Sequence, residues 1–351
     1  MPITRGPRPA HHRPDGFQNN YTEFAAKGLG DVLRWRWNAT RDGLPPPPRT
    51  PIPTVAPDLE FLRRNAAAHA VPCATWIGHA TVMAQLGGLN LLTDPIFSHR
   101  ASPLSFAGPA RHQPPGVALQ ALPHIDLVLV SHNHYDHLDS ASVDALNLQP
   151  AGPPVFVVPL GLRQWLHARG VGNAVELDWW QSHTVHGRAG PVEVMLVPAQ
   201  HWSARGLADR MKTLWGGFAV FAPDCHLFYA GDTGYSRDFR DMRERFAPRH
   251  TQAQGGGFDL ALLPIGAYEP RWFMATQHVN AEEAVQIHRD LGAKRSIGVH
   301  WGTFELTDEA LDEPPRALAS ARLAAGLSQD EFDVLAIGQT RVLTPRRASP
   351  G

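Results

Sequence analysis

The feature that most constrains this chain is the run Ser131-His132-Asn133-His134-Tyr135-Asp136-His137, which follows directly on the apolar segment Ile125-Asp126-Leu127-Val128-Leu129-Val130. Three imidazoles and a carboxylate packed this densely are costly to bury unpaired. They are also the donors that borderline divalent ions such as Zn²⁺ take. On an extended backbone His132 and His134 project to one side, and the turn at Tyr135 lets Asp136 and His137 reach a second position close by. The run implies two neighbouring metal positions at the end of a buried strand. A surface histidine cluster, or a set of satisfied core histidines, is the bland alternative, and the strand pattern in front of the run disfavours it.

Three further strand ends carry ligand-type residues. His201 follows Val192 to Val197, Asp232 follows Leu227 to Ala230, and His300 follows Ser296 to Val299. A lone His beside Trp is more often structural, and Gly231-Asp232-Thr233-Gly234 alone reads as a turn. Their joint recurrence after apolar strands reverses that preference. Composition narrows the partners. Lys plus Arg (32) against Asp plus Glu (33) leaves a net charge of −1, which offers no broad basic field for nucleic acid. The 19 His suit metal chemistry, and the 10 Trp suit a deep apolar pocket or lipid head-group contact. Cys73 and Cys225 lack metal or disulfide spacing and read as buried, inert thiols. With no signal-like start and no run of 18 apolar residues, the expectation is a cytoplasmic protein that touches a membrane only peripherally.

The expected organisation is an extension with a Pro-rich linker over residues 1–58, one hydrolase domain over 59–345 and a tail over 346–351. A helix is expected from Tyr21 to Trp37, with Phe24, Ala25, Leu29, Val32 and Leu33 on one face and Trp35 and Trp37 at its end. Such a stripe usually packs on its own domain; membrane docking or a homodimer contact are the other uses. Pro45 to Pro48 stiffens the linker as polyproline II. The domain opens with strands at 74–79, 81–86 and 89–94, with Gly87-Gly88 as a hairpin turn. Strands are also expected at 155–158, 192–197, 217–221, 227–230, 260–264 and 296–299, with helices at 140–148, 161–169 and 281–291. Two facing sheets with helices outside is the α/β architecture that these spacings allow.

His132, His134, Asp136 and His137 meet the His-x-His-x-Asp-His signature of the metallo-β-lactamase fold, an αββα sandwich. Longer blocks are similar to the N-acylphosphatidylethanolamine-hydrolysing phospholipase D branch. They include Trp76 to Thr81, Leu92 to Phe97, Glu176 to Trp180, Pro198 to Trp202, Ala230 to Tyr235, Pro264 to Met274, Gln277-His278-Val279 and His300 to Phe304. The resemblance covers about residues 70–340 and departs at Gly338-Gln339-Thr340 and over the first 70 residues. It implies two Zn²⁺ per chain, one held by His132, His134 and His201, the other by Asp136, His137 and His300, with Asp232 bridging. It also implies catalytic roles for Asp136, Asp232 and His278, and substrate contacts from Tyr135, Gln277 and His278. His278 reads equally as a residue at the start of the helix that follows. Asp94 is expected to orient a liganding His through its second nitrogen. The implied reaction is phosphodiester hydrolysis of a phospholipid. A lactonase or amidase on the same fold, or a non-enzymatic lipid-binding module, are the competing readings. Seven metal-directed side chains disfavour the last. Exposed apolar loops at Trp35, Trp37 and Leu104 to Phe106 are expected to give access to lipid.

Overall fold

The computed structural model describes residues 9–23, 27–66, 71–206 and 208–346. Two seven-stranded sheets make up its centre. The first runs in the order Thr340–Val342, Cys73–Gly78, Thr81–Leu86, Leu89–Thr93, Leu127–Leu129, Val155–Pro159, Ala174–Leu177. The second runs Phe332–Val334, Ser296–Val299, Leu260–Pro264, His226–Tyr229, Gly217–Phe221, Gly190–Val197, Ser182–Gly187. Each sheet begins antiparallel in the chain and continues through parallel crossovers.

Strand periodicity divides the side chains between two cores. Trp76, Val82, Leu91, Leu127, Leu129 and Val157 face the second sheet, where they share a core with Val194, Phe218 and Val220. Their neighbours Ile77, Met83, Leu92, Val128, Phe156 and Val158 face outwards and are covered by Val143 and Leu146 of the helix Ser140–Asn147 and by Leu162 and Leu166. That double coverage explains why these strands are apolar almost throughout rather than alternating. The helices Ala281–Leu291 and Glu313–Ala324 lie over the second sheet. The architecture is the αββα sandwich of the metallo-β-lactamase fold.

Gly87 and Gly88 close the hairpin between Thr81–Leu86 and Leu89–Thr93 in the left-handed region (φ 59° and 72°), and a Cβ on Gly88 would meet the Ala189 nitrogen at 2.8 Å. Cys73 and Cys225 are buried and unpaired, and burial pushes the Cys73 thiol up to about 12.

The first helix departs from expectation. It spans Leu29–Asp42 rather than 21–37, because Gly28 provides the N-cap, with its N–H donating to Asp31 Oδ2 at 2.9 Å, and left-handed Gly43 ends it. Phe24 and Ala25 lie outside the described residues. Leu29, Leu33 and Trp37, spaced four apart, are exposed, whereas Trp35 packs on Phe273 at 4.8 Å and donates to Asp308 Oδ2 at 2.8 Å. Of the stripe expected to pack, Leu29 and Leu33 therefore face solvent, whereas Val32 is half-buried. No helix among the described residues is long and apolar enough to cross a membrane.

Candidate metal centre

The ligand-type residues converge where the ends of strands from both sheets meet. His132, His134, Asp136 and His137 leave the end of Leu127–Leu129, and His201, Asp232 and His300 leave Gly190–Val197, His226–Tyr229 and Ser296–Val299. His132, His134 and His201 form one group of donors. His132 Nε2 and His201 Nε2 lie 2.8 and 3.3 Å from His134 Nδ1. Asp136, His137 and His300 form a second together with His79, with His300 Nε2 3.1 Å from His137 Nε2 and 3.3 Å from Asp136 Oδ2. Asp232 stands between them: its Oδ2 is 3.9 Å from both His132 Nε2 and His201 Nε2, and 3.1 Å from His137 Nε2, while its Oδ1 is 3.2 Å from His300 Nε2.

The outer nitrogens fix how the rings are presented. Asp94 is fully buried and accepts from the Ser131 N–H (2.6 Å), the Ser131 hydroxyl (2.5 Å), the Tyr229 hydroxyl and His137 Nδ1–H (2.6 Å). With its own proton committed to Asp94, Ser131 Oγ accepts from His132 Nδ1–H at 2.9 Å. His201 Nδ1–H donates to the Gln277 carbonyl at 2.9 Å. In all three rings Nε2 is thereby the nitrogen aimed into the cluster, and in the neutral ring it carries the lone pair that a metal requires. Lone pairs this close repel without a cation among them, and buried Asp232 Oδ1 and His278 Nδ1 have no hydrogen-bond partner. The residues present fit two divalent ions.

Electrostatics divides the two groups. Burial holds His134 down to about 4 and His201 to about 3, so these rings are neutral without a metal. Burial also opposes charge on His300, but Asp232 and Asp136 outweigh it and lift that ring to about 9. The surrounding imidazoles in turn hold Asp232 and Asp136 well below the usual carboxylate range against the cost of burial.

His278 faces the cluster, with Nδ1 3.9 Å from Asp232 Oδ2; the following helix is capped instead by Asn280. The Gln277 side chain donates to Met274 Sδ at 3.3 Å, and its carbonyl orients His201. Tyr135 donates to the Arg205 carbonyl at 2.9 Å, under the Arg205 guanidinium. With Leu104 and Arg205 it lines a cavity of about 300 Å³. A larger cavity, about 670 Å³, lies elsewhere against Asp259, Lys294 and Arg346, where those charges already pair with one another. The sequence alone assigns His79 no role. It is buried, with Nε2 3.0 Å from Asp136 Oδ2 and its ring 4.0 Å from that of His300. The signal was there to be read, because His79 also follows a buried strand. His79, Asp94 and His300 all have positive φ (53°, 32° and 62°), which turns their side chains out of strand alternation at the site.

Residues 89–301 match the Beta-lactamase superfamily domain, and the chain belongs to that superfamily of metal-dependent hydrolases. Within it, the chain is 43% identical over 249 residues to N-acyl-phosphatidylethanolamine-hydrolyzing phospholipase D 1 of Caenorhabditis elegans, covering 69% of this chain and 67% of that protein. It is 38% identical over 250 residues to the mitochondrial N-acyl-phosphatidylethanolamine-hydrolyzing phospholipase D of Saccharomyces cerevisiae, covering 70% of this chain and 50% of the yeast protein. An uncharacterized protein of Mycobacterium tuberculosis is 41% identical over 279 residues, covering 78% of this chain and 69% of that one. Among solved structures, one described as a possible metal-dependent hydrolase from Veillonella parvula superposes with a TM-score of 0.60 at 16% identity, over 78% of this chain and all of that one, a likeness of fold.

Proposed function

We propose that the chain is a binuclear zinc phosphodiesterase of phospholipase D type. Its substrate is N-acyl-phosphatidylethanolamine or a related phospholipid. The observation that carries this reading is the bridging position of Asp232 between two three-residue donor groups. The sequence likeness to two N-acyl-phosphatidylethanolamine-hydrolyzing phospholipases supports the substrate class.

His132, His134 and His201 would hold one ion, Asp136, His137 and His300 the other, with Asp232 shared. Two zinc ions, when bound, supply a water acidic enough to attack at neutral pH and relief for charge on the phosphoryl oxygens. The chain's own residues do the rest. Asp94, Ser131 and the Gln277 carbonyl hold the ligand rings in the correct tautomer. His278, which burial keeps neutral at about 3, presents its Nδ1 to the reacting centre. Tyr135 and the adjoining cavity receive part of the lipid. Water adds to phosphorus, the bond from phosphorus to the head-group oxygen breaks, and that oxygen leaves with a proton as the N-acylated alcohol, while phosphatidic acid stays behind.

Access to a lipid surface is assigned to the exposed Leu29, Leu33 and Trp37 stripe, with Trp272 beside it under Arg34, and to Leu104 and Phe106. The segment Arg271–Met274 connects that helix to Gln277 and His278. Incubating the zinc-loaded chain with diacyl N-acyl-phosphatidylethanolamine in mixed micelles should release phosphatidic acid. Hydrolysis of lactones or amides without phosphodiester cleavage would instead favour the carbonyl-directed alternative.

A further inference from the structure

We propose that His11, His12 and Asp178 form a third metal site, for a divalent transition ion such as zinc, which fastens the N-terminal arm to the domain. These residues lie outside the main centre. His11 sits at a turn and His12 in the two-residue strand His12–Arg13, paired with Gly16–Phe17. Neighbouring residues of a regular strand point to opposite faces. Here both rings instead meet one carboxylate: His11 Nε2 is 2.7 Å from Asp178 Oδ1, and His12 Nε2 is 2.7 Å from Asp178 Oδ2.

The donor set, two imidazole nitrogens and a carboxylate, is one that zinc takes, with a fourth position left for water. The setting suits it. His11 and Asp178 are buried, whereas the His12 side chain keeps 18% of its surface, leaving an opening for a solvent ligand. The carboxylate is held by the Trp179 N–H at 2.8 Å, and the His11 ring stacks on Trp179 with centroids 4.4 Å apart. The Asp178 carboxylate faces these two imidazoles, so a metal dication held by all three would set positive charge directly against it. Donors on a tetrahedral zinc lie about 3.3 Å apart, so the cluster must open by roughly half an ångström. The donors of His132 and His134 in the main centre are almost as close, at 2.8 Å.

The site would hold more than the arm. Trp179 Nε1 donates to the Trp215 carbonyl at 2.6 Å, and Trp215 Nε1 donates to Asn19 Oδ1 at 3.1 Å. That same Asn19 oxygen accepts the backbone N–H of His201 at 3.1 Å. The arm thus runs from the proposed site to a residue of the main centre.

Metal content by mass spectrometry of the full chain, loaded with zinc and desalted, tests the proposal. Wild type should hold three equivalents; His12→Gln and Asp178→Asn should each hold one fewer, with faster proteolytic trimming of the arm. A His12→Gln chain that holds as much zinc as wild type would mean hydrogen bonds only, and would overturn the site. If Asp178→Asn does not fold, the part-exposed His12→Gln decides alone. Loss of one equivalent in His12→Gln from a wild-type total below three would uphold this site while contradicting two ions in the main centre.

Discussion

Replacing Asp94 with Asn probes the main centre without touching a proposed ligand. The side chains have the same shape, but a carboxylate only accepts hydrogen bonds, whereas an amide offers one acceptor and one NH₂ donor. With its oxygen kept opposite the Ser131 N–H, the amide nitrogen falls where Oδ2 now accepts from His137 Nδ1, Ser131 Oγ and Tyr229. The two hydroxyls can rotate and accept instead, and the second lone pair of Ser131 Oγ still accepts from His132 Nδ1–H. His137 cannot do so without moving its proton to Nε2, the nitrogen that faces His300 and Asp232. A protonated Nε2 has no lone pair for a metal, so the penalty falls on one position of the pair. Loss of such an outer partner weakens metal binding by about 10–100-fold, or about 1.4–2.7 kcal/mol. The fold should lose about 1–3 kcal/mol through the poorer acceptor. Competition for zinc against a chromophoric chelator at pH 7 should show one ion weakened and the other nearly unchanged. Wild-type affinity for both ions, or equal weakening of both, would refute the tautomer reasoning.

Asp232→Asn should lower turnover by at least about 100-fold while the melting temperature stays within a few degrees, because the bridging carboxylate serves both donor groups; near-normal turnover contradicts the bridge. His79→Asn keeps a residue that tolerates positive φ but shortens the reach to Asp136. It should weaken only the Asp136, His137 and His300 position, by about 10-fold or more, and unchanged chelator competition would show that His79 is merely core. In the metal-free chain His300 keeps its proton up to about pH 9, whereas His134 and His201 are neutral above about pH 4. Zinc binding should therefore release protons at one position and not the other. His137 at the same position is also lifted well above the usual imidazole range by Asp232 and Asp136 against the cost of burial, so affinity there should rise by at least about tenfold per pH unit until pH 9, and equal proton release at both positions in a weakly buffered titration would contradict the asymmetry.

The paired sheets were legible because their inner strands are apolar on both faces, as at Thr81–Leu86 and Leu260–Pro264. Ser182–Gly187 was passed over because it is a polar edge strand that alternates between exposed and half-buried positions. The helix Glu313–Ala324 begins with two prolines, which read as breakers although the first turn tolerates them. Among site residues, the His132 to His137 run announced itself by density, and His201, Asp232 and His300 by their place after strands. Asp94 was expected as an orienting group, and its hydrogen bond to His137 has that geometry. The facing of His11 and His12 on Asp178 was not legible, because 167 residues separate His11 from its partner and only the folded arm brings them together. The Gln277 carbonyl was hidden for a different reason: a main-chain acceptor leaves no trace in residue type.

Hydrolysis of N-acyl-phosphatidylethanolamine by the zinc-loaded chain in ¹⁸O-enriched water, with the products resolved by mass spectrometry, tests the central claim most directly. Attack at phosphorus places one ¹⁸O in the phosphate of phosphatidic acid and none in the N-acylethanolamine. Label in a released fatty acid would mean attack at a carbonyl, and, like the absence of phosphatidic acid, would contradict the assignment.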